Sequence, residues 1–171
     1  MSVPCLAVAQ DHFKAILVLL SQSRPLCAPA YALARPMLEA AIRGQWLAFS
    51  ATADQIEKLL NDTLKFPSFN SMLSALEWSG LAGIAVTQSH YKTFCAYTHT
   101  GAQLISRMST GQRIEQRFRP EEIAELIDHC EVTLLLAGAA IANIAGNAAC
   151  LEEIATLVPS NSLPQELKAY S

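Results

Sequence analysis

Charge is scarce in this sequence, and so are the signals of a β-sheet. Asp, Glu, Lys and Arg make up 16% of its 171 residues, below the ~25% of an average soluble chain. The net charge is −3 at pH 7, which excludes a general attraction to nucleic acid, though not a local basic patch. Apolar and polar residues do not alternate for long anywhere. The hairpin dipeptides Asn-Gly and Asp-Gly are absent.

Paired cysteine motifs are missing too. Cys5, Cys27, Cys95, Cys130 and Cys150 are an odd count, and no two form a Cys-x-x-Cys pair. They sit where small apolar residues fit, so they read as reduced thiols of a cytoplasmic protein and not as zinc ligands. The start, "MSVPCLAVAQDHFK", has no basic segment before its apolar run, unlike a signal peptide. Residues 132–151, "VTLLLAGAAIANIAGNAACL", carry no charge. Their length suits a bilayer, but they are rich in Ala, Gly and Asn and no Lys or Arg lies nearby. A buried helix with close neighbours is expected, and no membrane span.

What is abundant is helix-forming, apolar sequence. Hydrophobic residues make up 51% of the chain, so much of its surface must be buried within it or against a partner, and a homodimer is expected. Apolar spacing predicts helices over about Val8–Ser23, 29–50, a stretch after Thr52, a short one ending at Trp78, one long helix from Thr87 to Met108, and one from Pro120 to about Asn147. Pro36 falls inside the second, where a kink or a late start is expected. "LEEIATLV" extends the last helix or forms a separate piece. The expected fold is all-α: an up-and-down bundle of four principal helices plus short extra helices. It forms a single helical domain over 1–171, with a core of about 8–150 and a tail at 159–171.

Two polar ladders interrupt this apolar text. In "RPMLEAAIRGQW", Arg35, Glu39 and Arg43 recur at steps of four and so share a helical stripe. One carboxylate cannot satisfy two guanidinium groups, so another helix or an anionic ligand must supply acceptors. In "YTHTGAQLISR", His99, Gln103 and Arg107 recur in the same way, beside the hydroxyl of Tyr97. His with Arg is a pair fit for metal-independent acid–base chemistry on phosphate. The plain alternative is that the two ladders meet and satisfy each other. Arg35, Glu39, Arg43, Tyr97 and Gln103 are thus candidate ligand-binding residues, and His99 and Arg107 candidate catalytic ones. Arg113, Arg117 and Arg119 offer the one route to nucleic acid, opposed by the acidic residues that follow them. No metal or cofactor motif occurs: there is no Glu-x-x-His pair, phosphate-binding glycine loop, nucleophile elbow or His-Glu-x-x-His.

The blocks "RPMLEAAIRGQWL" and "YTHTG", in that order and followed by an Arg-containing loop and an acidic helix, resemble an uncharacterised family of small bacterial all-helical proteins. That resemblance spans about residues 12–140 and implies no known activity. The chain also resembles, more weakly, the HEPN-like helical domains, in which an Arg and a following His form a ribonuclease site. Here Arg107 follows His99 instead, so the resemblance implies a site on these two residues alone. Two readings result: a helical interaction or small-ligand-binding protein that self-associates, and a HEPN-like metal-independent ribonuclease or toxin-type enzyme.

Overall fold

The computed structural model describes residues 1–78, 85–99, 101–108 and 116–157, and the side chains of all of these but 77, 78, 85–90 and 103. Among the described residues there are eight helices and no strand: α1 (Ser2–Leu20), α2 (Cys27–Phe49), α3 (Ala53–Leu60), α4 (Phe69–Trp78), α5 (Ala85–Thr98), α6 (Ala102–Arg107), α7 (Pro120–Ile144) and α8 (Ala148–Leu157). The expected all-α class is the observed one. The tail at 159–171 lies outside the described residues.

Helix α2 organises the packing. It touches α1, α4, α5 and α7. About half of its side chains are buried, among them Met37, Leu38, Ala41 and Trp46. Leu6 and Ile16 of α1, Met72, Leu73 and Leu76 of α4 and Cys130 of α7 are fully buried around it. Helices α1 and α2 approach closely at Gly44, where an added Cβ would stand 2.7 Å from Leu6 Cγ and Cδ2. Burial pushes the Cys130 thiol up to about 12, so that sulfur behaves as a small apolar group.

Helix boundaries follow local chemistry, and some differ from the sequence expectation. Helix α1 starts at Ser2, well before Val8. Pro4 does not prevent this, because the first helical turn has no carbonyl waiting for its missing N–H. Thr52 caps α3 as expected: its hydroxyl accepts from the Gln55 amide, and the Gln55 side chain accepts from the Thr52 amide at 2.8 Å. Residues 132–151 are not one helix. Gly146, at φ +65°, ends the preceding run, and Asn147 Oδ1 then accepts from the Cys150 amide to start α8 as a separate piece.

The single long helix expected from Thr87 to Met108 is two helices. Helix α5 ends at Thr98 and α6 begins at Ala102. Gly101 sits at the join, donating its N–H to the Ala96 carbonyl at 2.6 Å. A Cβ on Gly101 would lie 2.9 Å from that same oxygen, so the turn admits no side chain. His99, Gln103 and Arg107 therefore do not share one helical face.

Pro36 sits inside α2 without ending it. Proline has no N–H, so the carbonyl four residues back, on Ala32, loses its helical partner. A neighbouring helix supplies one. The Thr98 hydroxyl lies 3.2 Å from Ala32 O and 2.9 Å from Phe94 O, and it shares its single proton between them. The last turn of α5 is thereby fixed over the middle of α2, next to Arg35. Thr98→Val keeps the shape and removes the donor. It is expected to lower stability by about 1 kcal/mol, the net worth of such a bond. Urea denaturation checks this; an unchanged midpoint would mean that the Ala32 carbonyl needs no partner from α5.

Candidate functional site

The first ladder folds as its spacing predicts and gathers residues from α5. On α2, Arg35 Nε donates to Glu39 Oε1 at 2.8 Å and Arg43 donates from one terminal nitrogen to Glu39 Oε2 at 3.3 Å. The Tyr91 hydroxyl donates to Glu39 Oε1 at 3.0 Å. Arg35 also reaches His99 Nε2, just past the end of α5. A guanidinium can only donate, so Nε2 is the acceptor in this contact. The two ladders do meet, through Arg35 and His99.

Aromatic rings brace this cluster. Tyr91 stacks on Phe69 with centroids 3.9 Å apart and planes 4° from parallel. The Arg35 guanidinium lies 5.5 Å from the Tyr91 ring centre and that of Arg43 lies 5.0 Å from Phe66. Both contacts favour a flat cation over a ring face. The Glu39 side chain is 18% exposed, those of Arg35 and Arg43 23% and 41%. The hydrogen bond to Glu39 holds the Arg35 pKa above its ordinary value. Burial, helped by the bond to the same carboxylate, raises that of the Tyr91 phenol.

Donors outnumber acceptors here. Two guanidinium groups and a phenol converge on one carboxylate, and Arg43 Nε is buried with no hydrogen-bond partner among the described residues. The cluster has one more fixed positive charge than negative. Its open side carries Arg43 and the exposed His99. Such an arrangement can take an oxyanion.

Arg107 belongs to a second cluster. Both of its terminal nitrogens donate to the Glu122 carboxylate, a fork-on-fork pair, and one also reaches the Arg117 carbonyl at 3.3 Å. The Arg117 amide donates to the Arg107 carbonyl at 2.8 Å. Glu122 accepts from the Arg119 amide at 2.9 Å and from the Arg119 side chain at 3.3 Å, which caps the start of α7. The Tyr31 hydroxyl donates to the Glu122 carbonyl at 2.6 Å. Tyr31, Thr93, Tyr97, Ser106, Arg107, Glu122 and Glu125 line a recess of about 320 Å³. Arg107 and Arg119 share Glu122, with Glu125 a second acid on the wall of the recess, and Arg107 ties α6 to α7.

Most of the sequence-derived candidates thus have a place. Arg35, Glu39, Arg43 and His99 come together. Tyr97 and Arg107 lie in the second cluster. Gln103 stands in α6, its side chain outside the described residues, and Arg113 lies outside them altogether. Arg119 is partly neutralised by Glu122, as the acidic sequence after it suggested. Tyr91 was missed, although it continues the spacing of Cys95 and His99 backwards along α5. Glu122 was read only as one of the acidic residues that follow Arg119 in sequence. Among the described residues, no group of three or more His, Cys, Asp or Glu comes together as a metal site.

Burial works to raise the Glu122 pKa, but the Arg119 amide and the Arg107 and Arg119 guanidiniums outweigh it and hold the carboxyl below its ordinary value. A depressed folded-state pKa adds stability above the unfolded-state value, and that stability is lost as pH falls through the folded-state value. Denaturation midpoints should therefore fall on the acid side of the usual carboxylate range. Glu122→Gln should have a lower midpoint at pH 7 and a shallower acid fall than the wild type. Parallel pH profiles for the two would contradict this role.

No curated protein matches the chain, and no solved structure does. The sequence profile of a family described as "Family of unknown function (DUF6988)" matches residues 6–162, which include both ladders, the Pro36 helix and the acidic start of α7. The chain belongs to this family of unknown function.

Proposed function

We propose that this protein is a helical binding protein for a small anion of oxyanion type, held at the α2–α5 seam by Arg43 and Arg35 with His99 at the rim. The observation that carries the reading is the donor surplus around Glu39, with Arg43 Nε buried and unpaired. Arg43 is half-exposed, and its hydrogen bond to Glu39, at 3.3 Å, is long, which leaves its guanidinium free to take a further acceptor. An incoming oxyanion would supply the missing acceptors and balance the charge. A cytoplasmic setting suits the five free thiols.

A second reading, the HEPN-like metal-independent ribonuclease, is favoured by one contact. His99 stands against a guanidinium, as that chemistry needs, but the guanidinium is that of Arg35; Arg107 is taken up by Glu122. In this reading a phosphodiester replaces the small anion, His99 moves the proton, and Arg35 and Arg43 steady the charge. Arg117 and Arg119 would then be the described residues available for the RNA backbone, with Arg113 beside them in sequence.

Isothermal titration with inorganic phosphate tests the first reading. Binding is expected for the wild type and should weaken about tenfold or more in Arg43→Ala, the loss of a charge-assisted hydrogen bond. No heat at millimolar phosphate would sink it. A short RNA, incubated with wild type and with His99→Ala in the presence of a chelator, tests the second. Cleavage lost in a still-folded variant would make the seam an active site, and intact RNA in both would leave it a binding site.

A further inference from the structure

Helix α1 turns an apolar surface outwards. Among the described residues it is one of two helices, with α7, long and apolar enough to cross a membrane by length and composition, yet only 17% of its most apolar stretch is buried. Val8 is 47% exposed and Val18 59%. The exposed stripe follows alternating steps of three and four: Pro4, Ala7, Asp11, Lys14 and Val18. That is the spacing of a helix–helix seam. Helix α2 occupies the opposite face, so the stripe is an unpartnered side of the bundle.

The stripe is self-complementary. Asp11 and Lys14 form an exposed ion pair at 3.1 Å in the middle of α1. Turned end for end about a two-fold axis between them, the helix sets Asp11 against Lys14 of its copy, twice. The same operation sets Ala7 against Val18, twice. Acid meets base at the centre and apolar meets apolar one turn out, as an isologous interface requires, while Pro4 falls opposite Ser21 at the end of the seam. A lipid surface would fit worse, because the two charges sit at the centre of the apolar strip and not at its ends.

We infer that α1 is the homodimer interface of this protein, pairing antiparallel with α1 of a second copy across Asp11 and Lys14. This inference is independent of the anion reading, since the stripe lies on the face of the bundle formed by α1 and not at the α2–α5 seam.

Sedimentation equilibrium on the full chain, with circular dichroism to confirm folding, tests it. The wild type should be a dimer. Asp11→Lys and Lys14→Asp each place like charges opposite each other, and each variant alone should dissociate at least about tenfold more readily. The double reversal, Asp11→Lys with Lys14→Asp, should restore the dimer. Mixing the two single variants should give a heterodimer, since each supplies the charge the other lacks. A monomeric wild type would overturn the inference. So would a dimer indifferent to both single changes, or co-flotation of a wild-type monomer with phosphatidylcholine vesicles.

Discussion

The α2–α5 seam depends on one carboxylate. Glu39 accepts from Arg35, Arg43 and Tyr91 together, so two turns of α2 and one face of α5 are fixed by a single side chain at the edge of the core. Charge-assisted bonds of this kind are about twice as strong as neutral ones. Their cost is desolvation, which here is limited because the guanidinium groups keep one side open and lie on aromatic rings. The arrangement is therefore stable without being complete: the carboxylate accepts three hydrogen bonds, and the two guanidinium groups have donors to spare.

A backbone fault places the seam. Pro36 deprives the Ala32 carbonyl of its partner, and Thr98 from α5 takes that position. Because Thr98 immediately precedes His99, the same contact that repairs α2 brings the imidazole to Arg35. Gly101 then turns the chain away, so that Arg107 is carried to Glu122 and the start of α7. One short segment, 97–107, thus serves two clusters with different electrostatics. The Arg107 cluster sets two acids, Glu122 and Glu125, beside the guanidinium groups of Arg107 and Arg119. The Glu39 cluster is unbalanced and open.

Much of this was legible in the sequence. The helical class, the Thr52 cap and the stripe of Arg35, Glu39 and Arg43 follow from spacing and cap chemistry, which act over one or two turns. The meeting of Glu39's ladder with His99's was expected from acceptor counting alone. What spacing does not carry is long-range: which helix face answers Pro36, which residue completes the Glu39 carboxylate, and which acid takes Arg107. The steps of four from His99 to Arg107 suggested one helix. Gly101 overrode that pattern through a close approach to the Ala96 carbonyl, an effect of three-dimensional crowding. Tyr91 was within reach of the periodic argument, had the ladder been followed towards the N-terminus.

If the seam is an oxyanion site held half-closed by its own carboxylate, Glu39 competes with the ligand for the guanidinium groups. The most direct measurement is a phosphate titration of Glu39→Gln beside the wild type, with both proteins shown to be folded. Removing the internal negative charge while keeping the side-chain shape should tighten phosphate binding. Equal or weaker binding by the folded variant would contradict the account and return the Glu39 network to a purely structural role.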